Sequence, residues 1–184
     1  LVAPVTLRHG MEQLIRREID HARNGRGGHI KAKMNALVDP SIIALLYEAS
    51  QAGVRIELII RGMCCLRPGL AGISDHIHVV SVIGRFLEHS RLFWFANGGS
   101  SELFFGSADW MGRNLDRRVE AVAPIEDPQA KEHLEELLNL YLADGRAWHM
   151  DCDGQFHQLQ HEGDPEIAQR VLMQRWRGGL LSAA

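Results

Sequence analysis

The segment from His29 to Ile60 limits the possible folds of this chain more than any other. His29-Ile30-Lys31-Ala32-Lys33-Met34-Asn35 alternates with a period of two and reads as a strand. Asp39-Pro40 follows as a helix cap with proline at the first helical position, where a missing N–H costs nothing. Ile42, Ile43, Leu45 and Leu46 then form the packed side of a helix that reaches about Gln51 and closes at Gly53. Val54 to Ile60 is a β-branched, aliphatic run and the best strand in the chain. Strand, helix and strand with short connections make a βαβ unit, which implies a parallel pair and a right-handed crossover. The fold these elements predict is α/β: a mixed β-sheet flanked by helices.

The rest of the chain is consistent with that frame. Thr6 is placed to cap a helix through about Arg23, with Leu7, Met11, Leu14, Ile15 and Ile19 at helical spacing and Asn24-Gly25 at its end. Arg61 to Asp75 is rich in Gly, Pro and Cys and reads as a loop. Further strands are expected over His76 to Ile83, Arg91 to Ala96, Leu103 to Gly106 and Arg118 to Ala123, with a turn at Asn97-Gly98. Asp127-Pro128 starts a helix that packs Leu134, Leu137, Leu138 and Leu142. After Gly145 the pattern weakens. Trp148 and Phe156 are expected to pin the tail to the domain or to meet a part of a longer protein, and Ile167 to Trp176 reads as a last helix. The expected organisation is an α/β domain over 1–145 and a C-terminal extension over 146–184 packed on it. The opening Leu-Val-Ala-Pro reads as the interior of something longer.

Composition excludes several classes. With 46% hydrophobic and 23% charged residues, the 184-residue chain is neither disordered nor fibrous. No run of about 20 apolar residues is present, so no membrane span is expected. Cys64 and Cys65 are adjacent and Cys152 is distant, which is no disulfide framework and fits a reducing cytoplasm. Residues 1–118 hold 15 Lys+Arg against 11 Asp+Glu, and residues 119–184 hold 5 against 12. The basic first part permits an anionic ligand, but Lys and Arg are too sparse for nucleic acid. Gly-x-x-x-x-Gly-Lys-Ser/Thr, Gly-x-Gly-x-x-Gly and zinc-ligand spacings are all absent.

The sharpest run for chemistry is Gly84-Arg85-Phe86-Leu87-Glu88-His89-Ser90-Arg91, between two strands. His89 can act as a nitrogen nucleophile or proton carrier near neutral pH, and Arg85 and Arg91 can hold phosphoryl oxygens with paired N–H donors. Glu88 could orient an imidazole; a structural histidine in a loop is the plainer reading. Arg61 sits just past the best strand, where open α/β sheets bind ligands. Lys33, with Lys31 and Asn35 on the same face, either lines a phosphate site or guards an edge strand. Asp109 could support His89 or contact a metal. Arg117 and Arg118 would alternate faces, so that at most one enters a shared pocket. Trp94 and Trp110 are read as packing.

Four strings resemble the long form of polyphosphate kinase, in that family's order: Lys31-Ala32-Lys33-Met34-Asn35-Ala36-Leu37-Val38-Asp39, Arg61-Gly62-Met63-Cys64-Cys65-Leu66-Arg67-Pro68-Gly69, the run from Gly84 to Arg91, and Ser107 to Arg118. The resemblance covers nearly the whole chain, most loosely after about residue 145, and is to the last domain of the family only. It implies a phospholipase D-like fold and reversible transfer of the terminal phosphate of ATP to polyphosphate, through a phosphohistidine on a preceding domain. It places His89, Arg91 and Asp109 in catalysis, and Arg61, His89, Lys33, Asn35, Arg85, Arg117 and Arg118 around the nucleotide. No metal ligand is assigned in this chain; Mg2+ would be bound by other domains. The implied partners are ATP or ADP, inorganic polyphosphate, the remaining domains and further copies of the full-length protein. The implied location is the cytoplasm, with membrane association of a full-length complex left open.

Two other readings stay open. The domain could close a tunnel and build an oligomer without catalysing anything. It could also be a lone phosphodiesterase of the phospholipase D type, which needs paired His-x-Lys motifs. His89-Ser90-Arg91 has Arg for Lys, and only His29-Ile30-Lys31 matches formally.

Overall fold

The computed structural model describes residues 1–159 and 167–182. Strand β1 (Val2–Ala3) leads into helix α1 (Leu7–Arg23), whose Leu7, Met11, Ile15 and Ile19 are all buried. Thr6 holds the N-cap position without capping: its hydroxyl accepts the Val2 N–H at 2.9 Å. Strand β2 (His29–Met34), helix α2 (Pro40–Gln51) and strand β3 (Arg55–Ile60) form the βαβ unit, with β2 and β3 parallel in the register Met34 to Ile60. Asp39 caps α2 by accepting the Ile42 N–H at 3.0 Å. Then come β4 (Ile77–Ser81), β5 (Arg91–Phe95), β6 (Glu102–Gly106), the short α3 (Gly112–Asp116), β7 (Glu120–Pro124) and α4 (Pro128–Leu142), capped by Asp127.

Three strands have no counterpart in the sequence reading: β1 at the start of the chain, and β8 (Trp148–Met150) and β9 (Phe156–Gln158) near its end; helix α5 (Ala168–Ser182) follows. They complete a nine-stranded mixed sheet in the order β1-β7-β6-β5-β2-β3-β4-β8-β9. Two or three residues each are too few to show a periodicity, and these strands depend on pairing, β1 with β7, β8 with β4 and β9 with β8. The fourth expected strand starts two residues late, at Glu120, so Arg117 and Arg118 lie in a turn where strand alternation does not apply. The part of the expected C-terminal extension between residues 160 and 166 lies outside the described residues.

The sheet has a packed layer on each face. Ile30, Ala32, Met34, Ile56, Leu58, Ile60, Phe93 and Phe95 face α1 and α2. Ile59, Val80, Val82, Leu92 and Trp94 face α4, with Leu138, Tyr141 and Ala168. Since β2 is the middle strand, its odd-numbered side chains, Lys31 and Lys33, enter this second layer and are buried. An edge strand guarded by lysines is thereby ruled out. Across the first layer, Arg8 joins three elements by gripping Asp39 with two N–H groups, at 3.0 and 2.7 Å, and Asp116 with two more, both at 2.6 Å. No helix among the described residues is long and apolar enough to cross a membrane.

At the amino-terminal ends of β2 and β3, the Glu57 carboxylate meets the His29 ring at 2.7 Å and Arg55 at 2.6 Å. The His29 contact, then Arg55, overcomes burial and pulls the Glu57 pKa down to about 2. A carboxyl depressed in the folded state adds stability above its ordinary pKa of 4.5, and that stability is lost as pH falls toward 2. Acid unfolding of Glu57→Gln should therefore lack part of the wild-type decline between those two pH values. An identical decline in both proteins contradicts this.

Candidate functional site

The carboxyl ends of β2 and β3, the start of β5 and the end of β6 meet at one end of the sheet, because β5 runs against β2 and β6 against β5. The chain leaving these strands is stitched together. Leu37 N–H donates to the Met63 carbonyl at 2.9 Å, and Cys65 N–H to the Leu37 carbonyl at 2.8 Å. The N–H groups of Val38 and Asp39 both donate to the Trp110 carbonyl at 3.0 Å. Gly62 permits the closest approach: its N–H lies 2.7 Å from the Asn35 carbonyl, and a Cβ there would stand 2.9 Å from that oxygen. Side chains on these loops are thus held on rigid backbone.

Those side chains form a connected cationic group. Arg61 donates Nε and Nη2 to Asn35 Oδ1 at 3.0 and 2.7 Å. The backbone N–H of Asn35 donates to Asp109 Oδ1 at 2.8 Å, and the same carboxylate receives Arg91 Nε at 3.1 Å. Arg91 Nη1 donates to the His89 carbonyl at 2.8 Å. Lys33 rises from below, donating Nζ to Ser90 Oγ at 2.8 Å and lying 3.4 Å from Glu88. Burial holds the Lys33 pKa below the ordinary lysine range, Glu88 opposes that shift, and Arg61 and Arg91 add to it. Lys33, Arg61 and Arg91 therefore share one field, which an incoming anion would relieve. His89 is exposed, its backbone carbonyl is held by Arg91, and its imidazole meets no protein partner among the described residues.

His89, Arg91, Asp109, Arg61, Lys33 and Asn35 are brought together, but not all in the expected relations. Asp109 does not reach the imidazole; it binds Arg91, which holds the backbone of His89. Glu88 does not orient His89 either. Its carboxylate faces Lys33 and accepts from Gln169 Nε2 at 2.8 Å, and the Tyr141 hydroxyl lies against it. Arg85 turns away: its guanidinium lies over the Phe86 ring at 5.6 Å and lines a cavity of about 420 Å³ with Asp144, Arg146 and Gln169. Arg117 and Arg118 are exposed in the turn after α3, and among the described residues no side-chain hydrogen bond links them to the group.

Lys31 donates to Asn139 Oδ1 at 2.7 Å and packs over Trp94. His29 pairs with Glu57 at the far end of the same strand. The formal His29-Ile30-Lys31 motif is therefore spent on internal contacts, and no second half of a paired His-x-Lys site forms there. Trp94 and Trp110 are buried in the packed layers. Sequence reasoning missed Gln169 and Tyr141, whose partners lie far away in the chain and leave no local signal.

The donor set suits an anion. Among the described residues no three His, Cys, Asp or Glu side chains converge to hold a metal ion, and Asp109 and Glu88 are engaged by cations. The residues present do not fit a magnesium site of their own, and no step here is assigned to that ion.

A family model described as polyphosphate kinase C-terminal domain 2 matches residues 1–170. The chain is 67% identical to a polyphosphate kinase of Prochlorococcus marinus, aligned over 100% of its own length and 26% of that kinase. The crystal structure of polyphosphate kinase from Porphyromonas gingivalis superposes with a TM-score of 0.91 at 38% identity, covering 97% of this chain and 28% of that one. Nuc from Salmonella typhimurium, a phospholipase D family member, shares the fold at a TM-score of 0.50 and 15% identity, over 77% of this chain and 89% of that one. The chain spans about a quarter of the length of the curated relatives it matches.

Proposed function

Because the chain belongs to the polyphosphate kinase family as its C-terminal domain 2, we propose that it forms the anion-holding half of an active site for phosphoryl transfer between ATP and polyphosphate. The observation that carries this reading is the convergence of Lys33, Arg61 and Arg91 beside an exposed, unpartnered His89. Phosphoryl transfer asks a protein chiefly for positioning and charge neutralisation, and this group supplies both. Asn35 and Asp109 fix the two guanidiniums in planes that can present further N–H donors to phosphate oxygens. Lys33 adds a point charge from beneath, and His89 donates a hydrogen bond to a phosphate oxygen or moves a proton during transfer.

The nucleophilic histidine belongs, in this reading, to the rest of a full-length kinase, as do Mg2+ ligands. ATP or ADP and inorganic polyphosphate are the substrates, and the remaining domains, in a cytoplasmic homo-oligomer, are the partners. The chain by itself is expected not to turn over ATP.

Calorimetry tests the reading at Arg61. In the full-length kinase, Arg61→Ala should bind a non-hydrolysable ATP analogue at least about tenfold more weakly, since a hydrogen bond to a charged group contributes about 1.5–3 kcal/mol. Unchanged affinity for both the analogue and polyphosphate would remove Arg61 from the site.

A further inference from the structure

The loop that carries His89 has little apolar anchorage. Ile83, Phe86 and Leu87 are exposed, and Phe86, Leu172 and Met173 border an open cleft of about 340 Å³ between the loop and α5. Lys33 and Arg91 hold its end, through Glu88, Ser90 and the His89 carbonyl, and hydrogen bonds from one residue of α5 hold its first half. Gln169, 5% exposed, accepts the Phe86 N–H with Oε1 at 2.9 Å and donates Nε2 to the Phe86 carbonyl at 2.9 Å. The side-chain amide thus pairs with both backbone groups of residue 86, as a neighbouring strand would. The same Nε2 reaches Glu88 at 2.8 Å, and Glu88 faces Lys33.

The other end of this connection is also fixed. The buried Asp144 carboxylate accepts the Ala168 N–H at 2.7 Å and the Arg146 N–H at 2.8 Å, which sets where α5 begins. Ala168 is fully buried in the second packed layer, the cluster that holds Val80, Val82, Leu138 and Tyr141. Gly84 leaves just enough room for the clamp, because a Cβ there would stand 2.5 Å from Gln169 Oε1.

We propose that Gln169 is a positioning residue for phosphoryl transfer: α5, started by Asp144, uses the Gln169 amide to hold the 84–90 loop so that His89 faces the anion bound by Arg61, Lys33 and Arg91. This rests on the reading of His89 as a catalytic group. Its physical content is preorganisation. A loop free to move by about 1 Å still binds substrate through the arginines but places the imidazole wrongly in the transition state, at a cost of about tenfold to a hundredfold in rate.

Two substitutions approach the same contact from opposite sides. Gln169→Leu removes the amide and keeps its bulk, and Gly84→Ala pushes the amide away from Phe86. In the full-length kinase, both should speed hydrogen exchange in residues 84–90 and lower kcat about tenfold or more, with KM for ATP nearly unchanged. Should Gln169→Leu fail to fold, Gly84→Ala decides alone. Unchanged exchange overturns the clamp, and faster exchange with a wild-type kcat overturns its positioning role. A His89→Ala control separates the two readings: if it alone retains full rate, the catalytic reading of His89 has failed and the positioning role with it.

Discussion

A full-length kinase carrying His89→Ala is expected to move phosphate from ATP to polyphosphate about a hundredfold to a thousandfold more slowly than the wild type, the effect of removing one well-placed donor from developing negative charge. The imidazole is exposed and has no protein partner among the described residues, so the substitution strips nothing from the folded domain. Unfolding temperature should stay where it is while rate collapses, and that separation makes the result informative. His89→Gln refines it, since glutamine can donate a hydrogen bond but cannot carry a proton at neutral pH. Substantial rate in His89→Gln assigns the imidazole to charge stabilisation; a loss equal to that of alanine assigns it to proton movement. Wild-type rates of phosphohistidine formation and polyphosphate synthesis in His89→Ala would leave the domain as scaffold.

Asp109→Ala should produce the largest loss of stability of any single change in the site. The carboxylate is 9% exposed and serves two groups at once, the Arg91 guanidinium and the Asn35 N–H. Its removal leaves a largely buried positive charge unpaired and a backbone donor without an acceptor. Breaking a buried ion pair from one side costs about 3–5 kcal/mol. Arg91 is 20% exposed and can recover some hydration, so about 3 kcal/mol is expected, a fall of roughly 10 °C in the unfolding temperature of a domain of this size. Asp109→Asn keeps an acceptor for Asn35 and loses only the charge. It should cost about 1 kcal/mol of stability yet still impair transfer, because Arg91, which holds the His89 carbonyl, keeps a neutral acceptor but loses its counter-charge. If Asp109→Ala unfolds at the wild-type temperature, the carboxylate is not what organises this end of the sheet.

The contrast between these two residues shows how far the site could be read from the chain. His89 and Arg91 stand out because they fall in a charged run between strands, and Arg61 because it follows the strongest strand. Their partners do not stand out. Lys33 and Ser90 are 57 residues apart, and Gln169 and Phe86 are 83 apart, distances over which no periodicity extends. Arg85 illustrates the opposite error. It shares the charged run with His89, but the loop's path turns it toward α5 and away from the other cations.

The amino-acid order alone determined the βαβ unit, the caps at Asp39 and Asp127 and the parallel pairing of β2 with β3, because alternation, capping and short connections act within a few residues. It also carried the four strings by which the family is recognised. The tertiary structure decided which face of β2 is sealed, and so that Lys33 is a buried cation beneath a binding site and not a solvated guard on an edge. It decided too that Asp109 and Glu88 serve Arg91 and Lys33 and leave the imidazole free. Such choices depend on which strand is central and which helix covers it, and that is settled only when burial is optimised over the whole sheet at once.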